Sequence, residues 1–315
     1  MINVRVVSRR SEAVDIDSFE LVSVDGKELP PFSAGSHIDV HTKAGLTRQY
    51  SLCNAPDERH QYRIGVLKDP SSRGGSQSMH ELDVGDTLFI SSPRNLFPLA
   101  HESRYTMLFA GGIGITPILC MAQRLAKTSA AFELHYCARA SDRAAFVDEL
   151  RQSSFSDRVF FHFDDGEQEQ KLNADKVLAV PPPGTDLYVC GPTGFMDFIL
   201  GTAEGKGWPA GSLHKEYFSA PQVIGDTDAF EVMLASTGET YVIAADKSVV
   251  EVLAENGVEI PVSCEQGVCG TCVTKVLEGT PDHRDMFMTQ EEHLRNDQFT
   301  PCCSRAKSAR LVLDI

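Results

Sequence analysis

The sequence is short of positive charge, has no long apolar run and shows no recognisable leader. Lysine and arginine number 29 against 44 aspartates and glutamates, a formal net charge of −15. A phosphate backbone repels so acidic a chain, which argues against nucleic-acid binding. No stretch approaches the roughly 18 apolar residues of a membrane span. The opening MINVRVVSRR is too short in apolar residues to form a signal-peptide core. The chain is therefore expected in the cytoplasm, away from membranes. The nine cysteines are odd in number, and a reducing compartment makes a disulfide framework unlikely.

With 42% hydrophobic and 23% charged residues the composition is that of a globular protein, and 315 residues accommodate two or three domains. Three rhythms are visible. Residues 1–102 carry short alternating runs such as Val4–Val7, Phe19–Val24 and Tyr62–Val66. Turn pairs Asp25-Gly26 and Gly85-Asp86 separate such runs, and one short helix is expected near Ser76–Leu82. This pattern predicts an antiparallel β-barrel. Residues 103–220 alternate strands (Tyr105–Ala110, Phe132–Cys137, Val159–Phe163, Asp186–Cys190, Leu213–Phe218) with helices (Pro117–Lys127, Arg143–Gln152, Gly194–Gly205), predicting a doubly wound parallel α/β domain. Residues 221–227 look like a linker. Residues 228–315 open with strands Phe230–Leu234 and Thr240–Ile243 and a helix over Ser248–Asn256.

Five cysteines crowd this last segment. Cys264, Cys269 and Cys272 form C-x4-C-x2-C, and Cys302 follows after 29 intervening residues. This is plant-type [2Fe–2S] ferredoxin spacing: one tight loop supplies three thiolates and a distant segment the fourth. Gly267 and Gly270 let backbone N–H groups turn toward the sulfurs. A structural zinc site would favour two C-x2-C knuckles, and only one is present. Cys303 reads as a small packed neighbour.

Four further strings carry chemistry. Arg48-Gln49-Tyr50-Ser51 offers a cation for a phosphate, an aromatic ring for stacking and a hydroxyl for ring nitrogens. Arg73-Gly74-Gly75-Ser76-Gln77 precedes the expected short helix, where free N–H groups would favour an anion. Ala110-Gly111-Gly112-Ile113-Gly114-Ile115-Thr116-Pro117 follows a strand and opens a helix, giving a pyrophosphate access to helix amides. Cys190-Gly191-Pro192 ends the fourth strand of the same sheet, where open α/β sheets bind ligands. Arg139 is placed to meet an adenosine ribose or its phosphate, and Asp164 and Asp165 argue against a phosphate there.

The R-x-Y-S string resembles the ferredoxin-NADP reductase superfamily. The tail PCCSRAKSARLVLDI, with RGGSQS and PRNLFPL, resembles the phthalate dioxygenase reductase and vanillate demethylase reductase family across nearly the full chain. The resemblance implies a β-grasp ferredoxin domain with Cys302, the first of the pair, as ligand. It implies FMN held by Arg48, Gln49, Tyr50, Ser51, Arg73, Gly74, Gly75, Ser76 and Gln77. It also implies NADH held by Gly111, Gly112, Gly114, Thr116, Pro117, Arg139, Asp165, Cys190, Gly191 and Pro192. In the family, Cys190 lies near the nicotinamide, Phe218 packs on the flavin, and Glu216 and Ser51 lie by the hydride path.

The three modules form one circuit. NADH gives two electrons at once, a flavin releases them singly, and a [2Fe–2S] cluster takes one. The expected acceptor is a Rieske-type terminal oxygenase, with the chain itself monomeric. From a plant-type cluster near about −400 mV to a Rieske centre at roughly −150 mV the step is downhill by roughly 6 kcal/mol. The alternatives are a cytochrome or diiron monooxygenase partner, or a redox-sensing ferredoxin fusion, which would need no hydride site.

Overall fold

The computed structural model describes residues 1–70, 72, 74–179, 181–219 and 228–315. Arg73 and the expected linker 221–227 lie outside the described residues. The chain divides into two compact units, residues 1–216 and 217–315. The barrel and the nucleotide sheet, expected as separate domains, thus share the first unit.

The first unit begins with β1 (Ile2–Ala13), β2 (Ile16–Ser23), β3 (Ser36–His41), β4 (Thr47–Ser51), β5 (Tyr62–Leu67), α1 (Gly75–His80), β6 (Thr87–Ile90) and the short β7 (Arg94–Asn95). Period-2 alternation drives the strands: Val4 and Val6 are buried while Arg5 between them is exposed. The sheet runs β4-β3-β6-β1-β2-β5, with β7 beside β3. Among the described residues a single antiparallel bridge, Leu52 to Ile64, joins the two ends and closes the barrel. Val4, Phe19, Leu21, Ile38, Tyr62 and Ile64 fill its interior.

The same unit continues with β8 (Tyr105–Gly111), α2 (Ile115–Lys127), β9 (Phe132–Ala138), α3 (Val147–Gln152), β10 (Val159–Phe163), α4 (Ala174–Val177), β11 (Thr185–Cys190), α5 (Thr193–Gly205) and β12 (Leu213–Glu216). All pairs are parallel, in the order β10-β9-β8-β11-β12. The order reverses between β8 and β11, which makes the carboxyl ends of those two strands the topological switch point.

Two expectations are corrected. The last strand stops at Glu216 rather than Phe218, because its partner β11 ends at Cys190, opposite Glu216, and the ladder has nothing further to pair with. The helix expected from Arg143 begins only at Val147. Phe146, buried, takes a left-handed φ of 60° and breaks the helical path before it.

The second unit holds β13 (Phe230–Leu234), β14 (Thr240–Ile243), α6 (Val249–Glu255), β15 (Thr274–Glu278), β16 (Pro281–Asp282), α7 (Gln290–Arg295), β17 (Gln298–Phe299), β18 (Arg305–Ala306) and β19 (Arg310–Leu313). The order β14-β13-β19-β15-β17, with β13 and β19 parallel, is a β-grasp arrangement. A Ser248–Glu251 capping box starts α6, whose Val249 and Leu253 share one buried cluster with Val232 and Leu311.

Candidate functional site

At the switch point the ends of β8 and β11 nearly touch. A Cβ on Gly114 would lie 2.2 Å from the Cys190 carbonyl oxygen, and one on Gly191 would lie 2.9 Å from the Gly111 Cα. These approaches explain why the glycines stand where they do: only bare backbone fits. The 13-residue α2 starts here, so its free amides face the strand ends. Pro117 sits in its first turn, where no intrahelical N–H is lost. The Thr116 hydroxyl donates to the Ile113 carbonyl at 3.1 Å, and its methyl packs toward Gly65 of the barrel.

Beside this crevice, Cys190 and Glu216 are register partners on adjacent strands. The Ser51 hydroxyl, at the end of β4, donates to the Glu216 carboxylate at 3.3 Å. Three sequence-distant candidates are therefore brought together. Burial pushes the Glu216 carboxyl up to about 8, against which the Ser51 hydrogen bond pulls only weakly. Burial first, then the neighbouring Glu216, raises the Cys190 thiol well above its ordinary range. Both shifts favour the neutral forms, and Cys190, fully buried, is a thiol and not an accessible nucleophile.

On β4, Arg48 and Tyr50 share one face and Gln49 and Ser51 the other. A Cβ on Gly75 would meet the Arg48 side chain at 2.6 Å, so strand and α1 converge on that guanidinium. Helix α1 has only six residues, and Arg48 supplies the cationic charge at this corner. Ser76 is engaged locally, accepting from the Asp69 N–H at 3.1 Å, and Gln77 is exposed. Gln49 donates to Asp39 at 2.9 Å, and Asp39 in turn holds Arg94. Arg139 and Asp165 are exposed at the ends of β9 and β10, tied by the Asp165 N–H to Arg139 carbonyl bond at 3.2 Å. Phe218 lies two residues past β12 and belongs to the second unit.

Sequence reading missed the groups that join barrel to sheet. Arg63 of β5 makes a bidentate pair with Glu149 of α3, both contacts at 2.8 Å, and lies 5.2 Å over the Phe146 ring. Phe195 of α5 packs its ring on Gly111 and Gly191. Nothing local marks these residues, because their meaning comes from the junction.

In the second unit, Cys264, Cys272 and Cys302 are buried and Cys269 is half-buried. The thiols meet as two pairs: Cys264 hydrogen-bonds Cys269, and Cys272 hydrogen-bonds Cys302. The Cys264 contact, aided by Thr271, pulls Cys269 down to about 5. The Gln266 N–H donates to the Cys264 sulfur at 3.3 Å. Gly270, at φ 71°, is needed twice over: the backbone is left-handed, and a Cβ would strike the Phe287 ring at 2.3 Å. Two thiol pairs, one within the loop and one joining it to the distant Cys302, with a backbone donor, fit the two irons of a [2Fe–2S] cluster. Cys303 is also within hydrogen-bond reach of Cys302, but its thiol is held by Thr300 at 3.3 Å.

Comparison with known proteins agrees with this geometry. Residues 232–307 match the family model for a 2Fe-2S iron-sulfur cluster binding domain, and residues 108–200 that for an oxidoreductase NAD-binding domain. Vanillate O-demethylase oxidoreductase from Pseudomonas sp. (strain HR199 / DSM 7063) is 57% identical over the full length of both chains. The solved structure of phthalate dioxygenase reductase superposes with a TM-score of 0.84 at 39% identity, covering 100% of this chain and 98% of that one. An intact type IV self-sufficient cytochrome P450 monooxygenase gives a TM-score of 0.79 at 36% identity, covering 100% of this chain and 41% of that one.

Proposed function

Since the chain belongs to the oxygenase-reductase family that includes vanillate O-demethylase oxidoreductase and phthalate dioxygenase reductase, we propose that it serves a Rieske-type terminal oxygenase that demethylates a methoxylated aromatic acid. It is an oxidoreductase that carries electrons from NADH by way of FMN and a [2Fe–2S] cluster to an oxygenase. The observation that carries the partner assignment is the end-to-end 57% identity to the vanillate O-demethylase component. On this reading residues 1–102 hold FMN, 103–220 hold NADH, 228–315 hold the cluster, and the chain works as a cytoplasmic monomer. Among the described residues no helix is long and apolar enough to cross a membrane.

When bound, FMN accepts two electrons together and returns them singly, and the cluster takes one at a time. The protein's own groups then have separable roles. Arg48 neutralises the flavin phosphate. Gly111, Gly112, Gly114 and the α2 amides receive the pyrophosphate. Cys190 and Thr116 shape the nicotinamide pocket. Ser51 and a protonated Glu216 keep the hydride path free of negative charge. Cys264, Cys269, Cys272 and Cys302 ligate the irons, and the contact of Cys302 with Cys272 supports that choice over Cys303.

The test is reconstitution: holoprotein, NADH and a vanillate-type Rieske oxygenase component, with demethylated product measured. Product formed in proportion to NADH consumed is expected. NADH oxidised without product would overturn the partner. The cytochrome P450 monooxygenase match favours one second reading, a haem partner, and a P450 in place of the Rieske component is the arm that reads it.

A further inference from the structure

Three residues in the second unit, outside the cysteine set, are assembled like metal ligands. The chain between β16 and α7 lies across the cysteine loop. The Met286 N–H donates to the Gly267 carbonyl at 2.9 Å, and Phe287 packs on Gly270. At the base of this strap, Asp285 is buried. One of its oxygens accepts the Phe287 and Met288 N–H groups at 3.2 and 2.7 Å. Its other oxygen faces Nε2 of His293, on α7, at 3.2 Å. His283 stacks on His293 with ring centroids 4.4 Å apart. His283 is half-buried, both of its ring nitrogens are shielded from solvent with no well-formed hydrogen bond, and the Asn296 side chain is a nearby polar neighbour. One donor atom from each of His283, Asp285 and His293 lies within 4.8 Å of the others.

Asn296 can serve one imidazole nitrogen, and a shielded second nitrogen is costly unless something occupies it. We propose that His283, Asp285 and His293 form a divalent transition-metal site of zinc type that ties the strap to α7 and so steadies the strap where it lies across the cysteine loop. Two imidazoles and one carboxylate, with water in the fourth position, are a donor set zinc takes. Tetrahedral donors about 2.0–2.1 Å from zinc lie about 3.4 Å apart, and the Asp285–His293 edge, at 3.2 Å, already has that spacing. All three donor atoms lie within 4.8 Å of one another, and a swing of the His283 ring out of its stack on His293 turns its lone pair toward the other two. Burial, then His293, keeps His283 below its ordinary pKa, so its lone pair is free at neutral pH. The backbone bonds to Asp285 fix that ligand's orientation, the usual service of an outer shell.

The test uses holoprotein freed of adventitious metal and titrated with zinc ions by calorimetry. One equivalent is expected to bind. Zinc-edge X-ray absorption should show nitrogen and oxygen near about 2.0 Å and no sulfur near about 2.3 Å. His283→Gln and His293→Gln should each weaken zinc by about tenfold or more, with the visible cluster spectrum retained. Zinc should also slow bleaching of the cluster in urea for the parent and not for the variants. No stoichiometric uptake, sulfur scattering, parent-level affinity retained in either variant, or bleaching indifferent to zinc would each overturn the proposal. Uptake with sulfur scattering would place the metal on the cysteines instead.

Discussion

An alanine at Gly114 probes the crevice most sharply. Gly114 has φ −60°, so its backbone conformation accepts a side chain and the conflict is purely steric. The added Cβ would lie 2.2 Å from the Cys190 carbonyl oxygen, 2.4 Å from its carbon and 2.7 Å from the Gly191 nitrogen. These are backbone atoms, so no rotamer change relieves the clash. Restoring an ordinary contact of about 3.5 Å requires the start of α2 and the end of β11 to part by roughly 1 Å. A misplacement of about 1 Å costs on the order of 100-fold in rate, or about 2.7 kcal/mol of barrier. Stopped-flow reduction of the flavin by NADH should therefore slow about 100-fold, with flavin content and cluster spectrum intact. Gly201, inside α5, has nothing within 4 Å of an added Cβ. Gly201→Ala should leave the rate unchanged and stabilise by up to about 1 kcal/mol. A Gly114→Ala rate close to the parent's would refute the claim that this strand-end contact sets the hydride geometry.

Replacing Cys264, Cys269, Cys272 or Cys302 by Ser should bleach the cluster while flavin stays bound in the other unit; Cys303→Ser should keep the visible spectrum, and the reverse order for Cys302 and Cys303 would reassign the ligand. Glu216 has a native pKa raised to about 8, so the native state binds more protons than the unfolded one between about 4.5 and 8. Its contribution to stability is full below about 4.5 and is lost as pH rises through 8. The NADH-driven rate should fall over the upper part of that range as the carboxylate ionises, and a profile unchanged in Glu216→Gln would contradict the assignment. Arg63→Met should destabilise the first unit by about 2 kcal/mol in urea unfolding, a buried-pair loss discounted for partial exposure; a change below about 0.5 kcal/mol would show that the Glu149 pair does not join barrel to sheet.

Much of the architecture was legible because it rests on local rules. Alternation gave the barrel strands, and strand–helix rhythm gave the parallel sheet. Cysteine spacing marked the iron–sulfur segment, which the family model for residues 232–307 also matches. Helix α2 begins two residues before the expected Pro117 because the glycine turn feeds directly into it. What was not legible depends on tertiary placement. The left-handed Phe146 is set by its packing against Gly65 and Arg63, and no local propensity announces it. The engagement of Gln49 with Asp39 likewise follows from pairing of β3 with β4. The His283–Asp285–His293 group is invisible to spacing rules, since its members come from a loop and a helix brought together by the strap.

The barrel's closure by one bridge has a dynamic consequence. Every other junction between its long strands is a ladder of several register pairs, except β3 with β6, which has two. The Leu52–Ile64 bridge neighbours Ser51 on one side and Gly65 on the other, the residues that meet Glu216 and Thr116. Sub-global opening starts where cooperative hydrogen bonding is thinnest. Amide hydrogens along this seam should therefore exchange faster than those of β1 and β2, and ligand binding should slow them. The barrel can breathe at the wall of its own crevice while the rest of the cylinder stays shut.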